Sequence, residues 1–256
     1  MREHLLPLIL AVFFSLAAGL VGCVALMKRM LLASDVISHL ALPGLGLAFL
    51  FHFNPIAGGA ATLFLGTFLV WKLQKQTGLA TETALGVIFA ASLAIGAAVT
   101  PSSDLAESLF GELPEISLGG FFLGVLGVFV VVGAIYALRD RFAISIFSPD
   151  LAAVTGVHTA RLDLYFLLLF SLTVLIGLRF MGALLGSALI IIPAATARQL
   201  TSKLPHFLAL AAGISALSVT GGFLLNLYAF KSSTAGPTIA IFAALFFTLS
   251  LVKARQ

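Results

Sequence analysis

Asp35 and His39 stand four residues apart in the segment Ser34-Asp35-Val36-Ile37-Ser38-His39-Leu40-Ala41-Leu42-Pro43-Gly44. On a helix this spacing places both side chains on one face, with Cβ atoms roughly 5–6 Å apart. A carboxylate and an imidazole so arranged can share a divalent cation such as Zn²⁺, which accepts oxygen and nitrogen ligands with little directional preference. The same spacing also fits a structural arrangement in which Asp35 caps the helix start and His39 bonds a neighbouring carbonyl. It fits, third, the acid–base pair of an intramembrane enzyme, which would need a nucleophile or bound metal that the sequence does not identify. Pro43-Gly44 interrupts the helix one turn later and frees backbone groups, either to line a cavity or for packing alone. His52, at the far end of the same apolar run, is a secondary metal candidate, although a lone interfacial histidine is also an ordinary structural residue. His4, His158 and His206 fall in a terminus or in loops and enter no site.

The elements that must position this pair are membrane helices. The 256 residues are 61% hydrophobic and 9% charged, with mean hydropathy +1.16. A soluble domain carries about a quarter charged residues, so lipid must be the main solvent of this chain. Cys23 is the single cysteine, which excludes an intrachain disulfide and a Cys-x-x-Cys metal or redox site. The net charge of +4 comes from bases scattered between apolar runs and not from a clustered basic surface, so nucleic acid is not an expected partner.

Uncharged runs of sufficient length mark the crossings. The first covers residues 5–27, and the basic pair Lys28-Arg29 follows it, the reverse of a signal peptide. Residues 36–71 carry no ionisable acid or base except histidine and exceed one span, so Asn54-Pro55 is the expected turn between spans two and three. Further runs occupy 83–103, 116–138, 164–178, 180–197, 207–230 and 237–252. The expected fold is an all-α integral membrane protein, a polytopic bundle of about nine transmembrane helices. Eight remain if one of the two short runs, 164–178 or 237–252, does not cross. One side collects Lys28, Arg29, Lys72, Lys75, Arg139, Arg141, Arg161, Arg198, Lys203, Lys253 and Arg255, the other only Arg2, Arg179 and Lys231. By the positive-inside rule the N-terminus is expected to be periplasmic and the C-terminus cytoplasmic.

Two segments of this single transmembrane domain (1–256) lie outside the runs. Residues 101–115 carry Asp104, Glu107, Glu112 and Glu115 without a base, with Leu105, Leu109 and Leu113 at every fourth position, the pattern of a short amphipathic periplasmic helix. Residues 139–163 contain Ser148-Pro149-Asp150, an N-cap, first-turn proline and early acid, and then Gly156-Val157, a helix stop. A short capped helix on the cytoplasmic side is expected there. The chain has no Gly-Lys dipeptide and so no phosphate-binding loop of the Gly-x-x-x-x-Gly-Lys-Ser/Thr kind. It also lacks His-Glu-x-x-His and Gly-x-Ser-x-Gly.

Several short motifs occur in a fixed order. They are Asp35-x-x-Ser38-His39-x-x-Leu42-Pro43-Gly44, Ser108-Leu109-Phe110-Gly111, Ser148-Pro149-Asp150 through Gly156-Val157, Leu189-Ile190-Ile191-Ile192-Pro193-Ala194-Ala195-Thr196-Ala197, and Thr234-Ala235-Gly236-Pro237. In that order and spacing the chain resembles the membrane permease subunits of bacterial zinc/manganese/iron ABC uptake transporters, most closely the zinc branch of Gram-negative bacteria. The resemblance implies an inner-membrane permease that works as a dimer, a homodimer first, and moves Zn²⁺, or Mn²⁺ or Fe²⁺, inward by alternating access. It implies a cytoplasmic ABC ATPase subunit, which supplies the ATP hydrolysis this chain lacks, and a periplasmic metal-binding protein that delivers the ion. The metal is cargo and no cofactor is implied. Asp35 and His39 take the place of the metal pair, and Ser148, Pro149, Asp150, Gly156 and Val157 that of the ATPase contact. The chain departs from the family where relatives carry an acid just before Thr-Ala-Gly-Pro, since it has Lys231-Ser232-Ser233, and His52 likewise stands where relatives can have an acid. The competing classes are the intramembrane enzyme and an ATPase-independent metal channel or secondary transporter.

Overall fold

The computed structural model describes residues 5–99, 118–230 and 235–254. The acidic segment 101–115, His4, Lys231, Ser232, Ser233 and Thr234 lie outside the described residues. In chain order the helices are α1 (Leu5–Met27), α2 (Ala33–His39), α3 (Leu42–Phe51), α4 (Pro55–Thr77), α5 (Thr81–Val99), α6 (Leu118–Phe147), α7 (Pro149–Val154), α8 (Thr159–Met181), α9 (Ala183–Leu200), α10 (Leu204–Leu225) and α11 (Gly236–Ala254). A π-helical turn, Asn226–Phe230, extends α10. Among the described residues, seven helical stretches are long and apolar enough to cross a membrane, and Leu185–Leu200 and Gly236–Val252 are shorter apolar helices. Together they account for the nine expected crossings.

Helix α1 is the axis of the bundle. It packs against α6, α8, α9 and α10, and 72% of its apolar window is buried, against 17% for α5 at the periphery. Small residues make this possible. A Cβ on Gly19 would stand 2.7 Å from the Ala211 carbonyl oxygen, and one on Gly22 would overlap the carbonyl oxygen of Ile190. Without a hydrophobic drive between helices in lipid, such close backbone approach is a main source of packing energy. Helix α1 ends in a paired cap. Arg29 N–H bonds the Leu26 carbonyl at 3.0 Å and Met30 N–H the Ala25 carbonyl at 2.8 Å, with Arg29 left-handed at φ 59°.

The turn at Asn54-Pro55 is as the sequence predicts. Asn54 Oδ1 accepts from the N–H groups of Ile56 and Ala57, and Pro55 opens α4. Several boundaries differ from the hydropathy reading. The second span begins at Ala33 and consists of two helices, α2 and α3. The span read as 164–178 is 23 residues long, from Thr159 to Met181, and is not short. Arg161 lies in its first turn and Asp163 at the start of the second, and Asp163 is neutralised by an ion pair with Lys28, which a scan for uncharged runs cannot register. The joint to the next helix then falls at Gly182, whose φ of 80° suits only glycine, instead of at Arg179. Helix α6 runs nine residues past Leu138 to Phe147, and its 30 residues make it roughly 45 Å long, more than the roughly 30 Å of hydrocarbon.

Candidate metal site and coupling helix

Pro43 shapes the region around Asp35 and His39. It has no N–H for the His39 carbonyl, and its ring would clash there in a continuous helix. The chain tightens instead. Leu40 N–H bonds Ile37 at 3.0 Å and Ala41 N–H bonds Ser38 at 3.3 Å, both three residues back, before α3 resumes. Leu40 and Ala41 keep right-handed helical angles, so the second span is kinked and not severed. The freed N–H of Gly44 finds Thr62 Oγ1 of α4 at 3.2 Å, and a Cβ on Gly44 would overlap the Gly58 carbonyl oxygen. Thr62 therefore braces the kink. The sequence reading missed it, because nothing in a Thr four residues beyond Gly58 marks its partner on another helix.

Helix α2 packs against α4, α5, α8 and α9 and buries Ala33, Ser34, Ile37 and Ser38. Asp35 and His39 share the opposite, more open face, Asp35 exposed and His39 half-buried. Because Leu40 lies against Gly66 of α4, His39 sits near the middle of the bundle and not at its end. The His39 ring packs on Phe89 of α5 with centroids 5.5 Å apart. Asp35 falls in the first turn, where its charge complements the helix dipole, yet Leu32 occupies the cap position and no side chain caps α2. No described residue takes the Asp35 carboxylate or the His39 imidazole in a hydrogen bond. Among the described residues, no group of three or more His, Cys, Asp and Glu side chains stands ready for a metal. His52 is exposed and ends α3 in the left-handed conformation, φ 54°, its N–H on the Ala48 carbonyl. It is not gathered with the pair.

Helix α7 forms between α6 and α8 with Pro149 in its first turn and Asp150 behind it. Ser148 occupies the cap position, but its hydroxyl makes no cap bond, contrary to the sequence expectation. Its φ, ψ of −146° and 72° belong to the sharp bend out of α6. The stop is as expected. Gly156 has φ 74°, Val157 N–H bonds Ala152 at 2.9 Å and Gly156 N–H bonds Ala153 at 3.3 Å. Ala152 is buried against the bundle, while Leu151 and Val154 are 52% and 86% exposed, an apolar surface on a helix too short to cross anything.

A bundle of apolar helices packed around α1, with an interrupted second span that carries an acid and a histidine, is a polytopic helical membrane protein. Residues 2–254 match the ABC 3 transport family, and the chain belongs to it. It is a metal permease subunit of an ABC importer, embedded in the membrane by its multiple spans. It is 32% identical over 260 residues to the high-affinity zinc uptake system membrane protein ZnuB of Haemophilus influenzae, covering 99% of this chain and 98% of the relative. It is 26% identical to the manganese transport system membrane protein MntC of Listeria monocytogenes, over 97% of this chain and 90% of that one. Among solved structures, PsaBC from Streptococcus pneumoniae in complex with a Fab superposes with a TM-score of 0.82 at 25% identity, covering 98% of this chain and 91% of that chain.

Proposed function

We propose that this permease carries a divalent transition metal, zinc first, through the membrane by alternating access, and that Asp35 and His39 are its intramembrane ligands. The observation that carries the reading is the kinked second span, which holds both side chains on one open face with no side-chain hydrogen bond to either among the described residues. A resident zinc is enclosed by four ligands, whereas two protein ligands leave positions for water and let the ion go. Transport needs that weakness. The relatives named for zinc and for manganese both support a divalent cargo, and an oxygen–nitrogen pair accepts either.

In this reading α7, with Pro149, Asp150, Gly156 and Val157 shaping it, docks on a cytoplasmic ATPase through Leu151 and Val154, and the ATPase supplies all the ATP hydrolysis. A periplasmic binding protein delivers the ion, and a second copy of the chain completes the pathway as a homodimer in the inner membrane. The N-terminus is then periplasmic and the C-terminus cytoplasmic, because Lys28, Lys72, Lys75, Arg139, Arg141, Arg161, Arg198 and Lys203 gather at the α7 end. Zn²⁺ and Mn²⁺ uptake into proteoliposomes, with and without the ATPase and ATP, tests this. Uptake that needs ATP hydrolysis and prefers Zn²⁺ is expected. Flux without the ATPase would mean a channel or secondary carrier.

A further inference from the structure

The chain leaving α7 enters α8 through residues 155–158, and two bonds from other helices hold the first two turns of α8. Lys28, at the end of α1, forms an ion pair with Asp163. Its ammonium also stands 5.7 Å from the centroid of the Phe166 ring, one turn further along α8. The Trp71 indole N–H of α4 donates to the Ala160 carbonyl at 2.7 Å. The Lys28 and Asp163 side chains are only 12% and 30% exposed, so water and salt screen the pair less than an open surface pair.

Lys28 is also tied to the metal-bearing helix. Only residues 29–32 separate it from Ala33, the first residue of α2. That turn is drawn tight by Met30 N–H on Ala25, Ala33 N–H on Met30 and Ser34 N–H on Leu31. A shift of the first two turns of α8 therefore pulls on Lys28, and through a turn with little slack it pulls on α2. The surroundings give it room. Lys28, Asp163 and Phe166 border a cleft of about 110 Å³, together with Gln74 and Thr81, whose side chains bond each other at 2.8 Å and join the ends of α4 and α5. A close-packed core moves poorly, and a cleft beside the bond lets the turn shift without overpacking.

We propose that the Lys28–Asp163 pair, seconded by the Trp71–Ala160 bond, is the link through which movement of α7 reaches Asp35 and His39. Lys28, Asp163 and Trp71 are positioning residues that touch no cargo. The inference rests on α7 being the ATPase contact. The test uses the full complex of permease, ATPase and binding protein in proteoliposomes, measuring Zn²⁺ uptake and ATP hydrolysis together. K28M/D163N removes the link without leaving an unpaired charge. Hydrolysis should persist while zinc moved per ATP falls roughly tenfold, within the span of ordinary coupling energies. K28R should keep most of the coupling. The reversed pair K28D/D163K should recover the zinc moved per ATP that K28D loses, at equal amounts of assembled complex, which ties the loss to the ion pair. If the Lys28 variants fail to assemble, W71F, which removes one N–H, should lower the same ratio by a smaller factor. An unchanged ratio in K28M/D163N, or in W71F where that variant decides, overturns the link while leaving the transport reading intact. Wild-type flux that ignores the ATPase overturns both.

Discussion

Helix α1 and the kinked pair α2–α3 are neighbours in the chain and similar in apolar length, yet they solve opposite problems. Helix α1 is uncharged and packs against four helices, two of which, α9 and α10, approach at backbone distance because Gly22 and Gly19 leave no side chain in the way. The pair α2–α3 gives up regular hydrogen bonds at Pro43, borrows Thr62 from α4 to repair one of them, and keeps an acid and an imidazole on its open face. Helix α1 carries no ionisable acid or base, and the kinked pair carries both candidate ligands. Irregular backbone in a membrane persists only where protein groups satisfy it, so the site needs the scaffold beside it.

The sharpest way to break this contrast is to put a side chain where α1 allows none. Gly22→Leu should abolish accumulation of folded protein in the membrane, because the overlap is with the Ile190 backbone and a carbonyl cannot rotate away. Its cost lies at or beyond the top of the roughly 1–3 kcal/mol usual for overpacking. Gly213→Ala on α10, where nothing lies within 4 Å, is the control and should gain about 0.5–1 kcal/mol in detergent unfolding. If Gly22→Leu accumulates normally, α1 is not the rigid axis.

In the kinked pair the expected damage is to transport and not to folding. Asp35→Asn and His39→Gln should each reduce zinc uptake by about tenfold or more at unchanged membrane levels, since each removes a proposed ligand and breaks no described hydrogen bond. Wild-type growth of both variants under zinc limitation would return the pair to a structural role. Thr62→Val tests the brace. Leaving the Gly44 N–H without its acceptor should cost about 1–3 kcal/mol in thermal unfolding and should slow transport less than loss of either ligand.

The smallest effect is expected at the joint between the two regions. Arg29 is left-handed at φ 59°, a conformation that costs a residue with a side chain about 1 kcal/mol and glycine almost nothing. Arg29→Gly should therefore raise stability by about that amount. Stability that falls instead would show that the Arg29 side chain holds the α1–α2 turn.

Period and hydropathy sufficed wherever the physics is local. The crossings, the Asn54-Pro55 turn, the shared face of Asp35 and His39 and the Gly156 stop follow from contacts within four or five residues, and such contacts are written in consecutive sequence. The expected Ser148 cap failed because the bend out of α6 sets the backbone angles there, whatever the preference of serine. The start of α8 was misread at 164 because Asp163 becomes tolerable at the membrane edge only when Lys28, 135 residues earlier, neutralises it. Thr62 was invisible for the same reason, since an ordinary helical threonine becomes a brace only when Gly44 is packed against it. The sequence alone determined which segments are apolar enough to enter the membrane and that Asp35 and His39 share one helix face. Tertiary structure decided how Asp163 and the Gly44 N–H are satisfied, because their partners, Lys28 and Thr62, stand outside their own helices and far away in sequence.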